Sequence, residues 1–398
     1  MRATHERRVF FFLSAGWGPA VRTLPIIERL AGHDIASAFA LGEAPGAAIR
    51  AAGLEPIELR LPPADAAASR TRDWWSPYHH LAFSAGDIAP LLDRVEAYRK
   101  AICDGRPAAV VTDINPLAAL AARSLQVPHV TISQSLFLPG RKRDAARWAM
   151  PSALSTINKV LAYYRVGLLE AAAQLELGDI TLIPSLPEFD PLDDTPPSLE
   201  YVGPILGNQL VPLRSSAQRP SAAKGAAEIF FYPGRPRDTA GPSGQELLDI
   251  VLMALNGTDA AVTVATGGFD FEIPGWAQGR FRIVDWCVIS PEYQPDLIIH
   301  HGGHGACLTA ISAGIPSVVI PTHAEREYNA GNLAALGCGE LVAIGEADAA
   351  RVRRVVEGML DNAACARRCA QWSETIAARG YGGADLAARM IARILQGG

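Results

Sequence analysis

Histidine and glycine sit together at one place in this chain, His300-His301-Gly302-Gly303-His304-Gly305. The chemistry open to such a group is anion binding. An imidazole offers a side-chain donor. Glycines let a ligand reach backbone N–H groups with no Cβ in the way. Leu297 to Ile299, just upstream, is a short apolar run with the look of a buried strand. Downstream, Ala306 to Ala313 has apolar residues at helical spacing, and Gly314 stops it. Ser317 to Ile320 reads as a second buried strand. The unit is therefore strand, glycine-rich turn, helix, strand. Its turn leaves unpaired N–H groups at a helix N-terminus, where the helix dipole also favours negative charge. A phosphate fits there, with His301 adding a donor from the strand end. Close packing of the turn is the other reading of the same glycines.

The flanking pattern repeats twice. Val9 to Leu13 reads as a strand, Ala15 to Pro19 as a glycine-containing turn, Ala20 to Ala31 as a helix and Ile35 to Leu41 as a strand. Ala108 to Thr112, His129 to Ile132 and Ile180 to Ile183 continue the strands, with helices over Ile88 to Cys103, Pro116 to Leu125 and Val166 to Leu177. After the polar stretch from Gly207 to Lys224 the pattern restarts. Strands fall at Ile229 to Tyr232, Ala260 to Ala265 and Phe281 to Val284, and helices at Gln245 to Leu255, Asp348 to Leu360, Ala363 to Ala378 and Ala384 to Leu395. Alternating strands and helices build parallel sheets with right-handed crossovers. The domain reading is residues 1–206, a linker at 207–225, a second domain at 226–378, and a terminal segment, 379–398.

Composition bounds the rest. With 398 residues, 49% hydrophobic and 19% charged, the chain can bury a large core. A net charge of −5 gives no general attraction to nucleic acid or anionic membranes. Lysine occurs only at 100, 142, 159 and 224. The six cysteines have neither CxxC nor zinc spacing, which reads as free thiols in a reducing compartment. No run reaches transmembrane length, so the expectation is a cytoplasmic protein. The span from Pro62 to Pro90 is long and irregular and carries Trp74, Trp75, Tyr78, His79 and His80. Long loops in regular domains are usually functional. Its aromatics could line an acceptor pocket or fold onto the domain.

From Pro295 to Gly339 the order is histidine, two glycines, a further glycine, an AxxxGxP helix end, an apolar strand, Pro321, Glu325, Asn329-Ala330 and a closing GxG. This succession resembles the donor-binding region of GT-B glycosyltransferases, in particular the bacterial natural-product branch. The resemblance implies an α/β fold of two Rossmann-like domains facing each other across a cleft. The implied activity is metal-independent, inverting transfer of a sugar from UDP or dTDP to a small natural-product or lipid-linked acceptor. The donor is a substrate, and no cofactor is implied. It places His301, Gly303, His304, Gly305 and Ala306 on the diphosphate. Gly234, Arg235, Trp286 and Val288 fall to the nucleotide, and Glu325 and Arg326 to the sugar. Trp17 joins Trp74, Trp75 and Tyr78 as acceptor contacts. A monomer or homodimer is expected.

The sequence also departs from that family. Related enzymes often carry a histidine after the first strand, where this chain has Pro19. Asp113 stands where the family often has the aspartate that orients it. Asp113, His79 or His80 could serve as base, or the acceptor could be acidic enough to need little help. A non-catalytic binding protein on the same fold is a second reading, and a sugar-nucleotide epimerase a third. Ala306 replaces a hydroxyl residue, Arg326 a glutamine, and Thr309 a ribose-binding glutamate of many UDP-glucose users.

Overall fold

The computed structural model describes residues 7–14, 17–40, 55–57, 59–61, 87–140, 151–206, 225–237, 243–290 and 293–396. The chain divides into two compact units. One takes residues up to Ile205 together with Tyr381–Gly398, and the other is mainly Leu206–Gly380.

In the first unit the strands are β1 (Arg7–Leu13), β2 (Ile35–Ala40), β3 (Glu55–Pro56), β4 (Ala109–Asp113), β5 (His129–Ile132), β6 (Ile180–Ile183) and β7 (Leu199–Tyr201). All pair in parallel, in the order β3-β2-β1-β4-β5-β6-β7. The helices are α1 (Trp17–Ala31), α2 (Ala89–Gly105), α3 (Pro116–Leu125) and α4 (Pro151–Tyr163). Val9 to Leu13 and Ala109 to Asp113 are buried throughout, as strands covered on both faces must be.

The second unit repeats the design. Its strands are β8 (Glu228–Tyr232), β9 (Ala261–Ala265), β10 (Arg282–Val284), β11 (Leu297–His300), β12 (Ser317–Val319) and β13 (Gly339–Leu341). Their order is β10-β9-β8-β11-β12-β13, again parallel. The helices are α5 (Gly244–Leu255), α6 (His304–Ala313), α7 (Ala324–Ala335), α8 (Ala349–Leu360) and α9 (Ala363–Arg379). Caps fix several starts. Ser243 accepts from the Glu246 N–H, Asp348 from that of Arg351, and Asn362 from that of Cys365.

The last helix, α10 (Gly383–Ile394), belongs to the first unit. Its Ala387, Ala388, Ile391 and Ala392 are buried, the Gly383 N–H donates to the Val202 carbonyl at 2.7 Å, and Asp385 pairs with Arg29 of α1 at 3.2 Å. Among the described residues no helix is long and apolar enough to cross a membrane.

Several expected elements change. Trp17 to Pro19 are the first turn of α1, not a loop, since proline is well suited to a helix start. Pro56, whose run to Leu61 also reads as a strand in the sequence, pairs with Phe39 as the end of β3. Val166 to Leu177 has a helical apolar spacing but forms extended chain and one short 3₁₀ turn, Ala172–Glu176. The Asn158 amide satisfies both the N–H and the carbonyl of Leu169 at 2.9 Å, and Gln174 Oε1 accepts from the Glu170 and Ala171 N–H groups. Side-chain amides thus replace the ladder a helix would supply. Trp74, Trp75, Tyr78, His79 and His80 lie outside the described residues.

Two fully buried histidines set an acid limit on stability. His129 on β5 lies 2.8 Å from the Thr112 hydroxyl, and burial, with Arg123 nearby, pushes its pKa down to about 4. Burial takes His300 down to about 3. The unfolded chain protonates such residues near the ordinary value of 6.5, and the folded chain does not. Stability is therefore complete above about pH 6.5 and falls as pH drops toward 4, by about 3 kcal/mol from His129 alone. Denaturant unfolding at pH 7.5 and 4.5 checks this; equal stability would contradict it.

Candidate functional site

In an open parallel sheet the natural ligand position lies beyond the carboxyl ends of the strands, where neighbouring strands send their chains to opposite faces. In the second unit that point falls between β8 and β11. Tyr232 ends β8 and is followed by Pro233-Gly234-Arg235; His300 ends β11 and is followed by His301-Gly302-Gly303. The structure presses these two turns together. Gly234 has φ +87°, and a Cβ built on it would lie 2.9 Å from the His301 ring. A Cβ on Gly303 would lie 2.7 Å from His301 Nε2. The imidazole is held between two backbone segments that only glycine can provide. The Tyr232 ring meets it edge-on at 5.2 Å.

Gly303 is the N-cap of α6, and its carbonyl accepts the Cys307 N–H at 3.0 Å. His304, Gly305 and Ala306 are consequently the first helical turn, whose N–H groups have no partner within the helix. The helix starts two residues before the sequence reading put it. Asn329 of α7 donates to the Gly302 carbonyl at 3.1 Å, and His300 Nδ1 accepts the Gly302 N–H at 3.1 Å. The turn is thus fastened from α7 and from β11.

The electrostatics are one-sided. His301 is buried, and its pKa is well below the ordinary value. Burial is the main cause; Arg326, His300 and His323 add to it, and the Tyr232 carbonyl opposes them. His323, the N-cap of α7, is likewise depressed, by burial and then by Arg326 and Arg235. Two guanidiniums therefore stand beside two neutral imidazoles at a helix N-terminus.

Other sequence candidates take these places. Glu325 is half-buried in the first turn of α7 and close enough to α6 to help raise the Cys307 thiol, whose shift is mostly burial. Arg326 does not turn to solvent. It is buried and bonds the Thr322 hydroxyl. Trp286 follows β10 and lies with its Nε1 3.6 Å from a Cβ built on Gly268. Val288 is half-buried between Cys287 and Ile289, both packed on the core around Phe230 and Ile298. Thr309 turns its hydroxyl back to the Gly305 carbonyl at 2.8 Å.

The first unit has its own reversal point, between β1 and β4. Asp113 at the end of β4 is fully buried and grips the buried Arg22 of α1 in a two-bond ion pair, one bond being 2.5 Å. Both carboxylate oxygens are engaged. The carboxylate that the sequence offers as one candidate base is thus held in an ion pair. Ile114, next to it, has φ +45°, which costs a β-branched residue about 1–3 kcal/mol. Trp17 and Pro19 open α1 on the same side of β1. The sequence reading missed Arg22, His323, Thr322 and Asn329. Of these only Asn329 belonged to the motif.

Two doubly wound parallel-sheet units are the arrangement of the GT-B fold. Residues 257–392 match the family described as erythromycin biosynthesis protein CIII-like, C-terminal domain. The chain is 30% identical to the elloramycin glycosyltransferase ElmGT of Streptomyces olivaceus over 169 residues, 40% of this chain and 44% of that protein. It therefore spans less than half the length of this relative. The glycosyltransferase of kitacinnamycin superposes with a TM-score of 0.72 over 98% of this chain and 99% of that one, at 18% identity. The spinosyn rhamnosyltransferase SpnG complexed with thymidine diphosphate gives 0.67 over 97% and 100%, also at 18%. The chain has the GT-B fold of these glycosyltransferases, and the match to the erythromycin CIII-like C-terminal domain lies within its second unit.

Two substitutions test this geometry. Gly234→Ala puts a Cβ against His301 at a positive φ and is expected to destabilise the protein by about 1–3 kcal/mol, read by urea unfolding. Arg22→Met leaves the Asp113 carboxylate buried without its cation and is expected to cost about 3–5 kcal/mol. The double variant Arg22→Met, Asp113→Leu should recover most of that loss; no recovery would mean the pair is not the source.

Proposed function

We propose that the protein is an inverting glycosyltransferase that moves a sugar from a nucleoside diphosphate donor to a small natural-product acceptor. The observation that carries the reading is the cradle at β8 and β11. Bond cleavage at the anomeric carbon places growing negative charge on the leaving diphosphate, and preorganised donors where charge develops are the usual largest aid. The α6 first-turn amides, His301 and the nearby Arg235 and Arg326 supply them. His301 gives a hydrogen bond, and the guanidiniums and the helix dipole give positive charge. Glu325 is suited to accept from sugar hydroxyls, and Trp286 to stack on the base. Structural neighbours of this fold have been crystallised with thymidine diphosphate, which favours dTDP over UDP.

In the displacement, the acceptor oxygen forms its bond to the anomeric carbon from one face as the bond to the diphosphate oxygen breaks on the other. The acceptor proton has to leave. Asp113 is occupied by Arg22, so the reading gives that task to His79 or His80, or relies on an acceptor acidic enough to arrive ionised.

His301→Ala is expected to weaken binding of dTDP or UDP about tenfold, ~1.4 kcal/mol, with little change in melting temperature. Unchanged affinity would remove His301 from the diphosphate. Product from an acceptor screen should carry the anomeric configuration opposite to the donor's, read from proton NMR couplings. Retention of configuration would contradict the mechanism, and isomerised donor formed without acceptor would favour an epimerase.

A further inference from the structure

We propose that His323 and Arg326 complete the diphosphate cradle, and that the cradle takes up a proton when a nucleoside diphosphate sugar enters it. The inference rests on the donor-site reading above and goes beyond it, since the sequence motif gave His323 no role and placed Arg326 on the sugar.

A Cβ on Gly302 would lie 2.8 Å from the Arg326 carbonyl and 3.1 Å from the Arg326 Cβ. Arg326 therefore rises directly beside the glycine turn, and it is buried there. Thr322 fixes its guanidinium on α7. Its charge is felt at both His301 and His323. A cation with that neighbourhood belongs to the phosphates before it belongs to a sugar. His301 and His323 also each keep a buried Nδ1 with no hydrogen-bond partner. Burying such an atom unpaired costs about 1–3 kcal/mol, which a ligand can return.

The groups facing the two rings are known from each packed element. Arg235 comes from the β8 turn, Tyr232 from β8, His300 from β11 and Arg326 from α7. Glu325 stands in the same first turn of α7, and His304 and Cys307 lie on α6. Burial first, and then Arg326 at both rings and Arg235 at His323, keep the imidazoles neutral. A diphosphate diester brings two negative charges into the same low-dielectric space. It neutralises the guanidiniums' effect on the rings and rewards a charged imidazole, so affinity and protonation become linked.

Isothermal titration of UDP-glucose and dTDP-glucose tests this. These diesters have no group of their own that titrates near neutrality. Binding enthalpies measured at pH 7 in buffers of different ionisation enthalpy give the proton count directly. The expected result is uptake of a sizeable fraction of a proton; half a proton corresponds to roughly a threefold gain in affinity per unit fall in pH. His301→Gln and His323→Gln keep a polar side chain but cannot protonate there. Each should lower the uptake, and the pair should abolish it. Arg326→Gln should weaken affinity about tenfold or more, a loss that a purely structural role would show as lower melting temperature instead. Binding with buffer-independent enthalpy, or uptake that survives in the double variant, overturns the proposal while leaving the donor site standing. No binding of either sugar nucleotide overturns the donor site itself.

Discussion

The second unit is organised by one close approach. The His301 ring lies where side chains on Gly234 and Gly303 would have to be, so the turns after β8 and β11 close on each other only because both residues lack a Cβ. That contact fixes the imidazole edge over the start of α6. Everything else at the site depends on it. Asn329 and His300 tie down the same turn, and α7 brings Arg326 to its flank. The sheet order makes the meeting unavoidable, because β8 and β11 are neighbours whose helices leave toward opposite faces.

The first unit uses the same topology for a different end. Its reversal point holds an ion pair buried on both sides, Arg22 with Asp113, beside a strained Ile114. A buried pair of this kind contributes little net stability, but breaking it is costly. It orients the start of α1 against β4.

Much of this was legible in the sequence, and the reasons are specific. Parallel strands buried on both faces read as continuous apolar runs, so β4, β5, β8 and β11 announce themselves. The glycine turn is visible because its chemistry leaves a fixed spacing. Other features leave no local trace. Nothing around Arg22 says that its partner is 91 residues away. Apolar spacing over Val166 to Leu177 looks helical, yet Asn158 from outside the stretch and the polar Gln174 within it take over its backbone. The charge state of His323 is set by its burial and then by Arg326 and Arg235, which come from different segments. The family resemblance names candidate donor residues because their spacing is continuous, but spacing alone does not show that Arg326 is buried against Thr322.

The central claim is that the N-terminus of α6, framed by His301, is where a diphosphate sits. A crystal structure of the protein soaked with dTDP tests it most directly. The account predicts the β-phosphate at hydrogen-bond distance from the His301 ring and from amides between Gly303 and Ala306, with Arg326 on its flank. A diphosphate bound elsewhere, with that turn left unengaged, would contradict it.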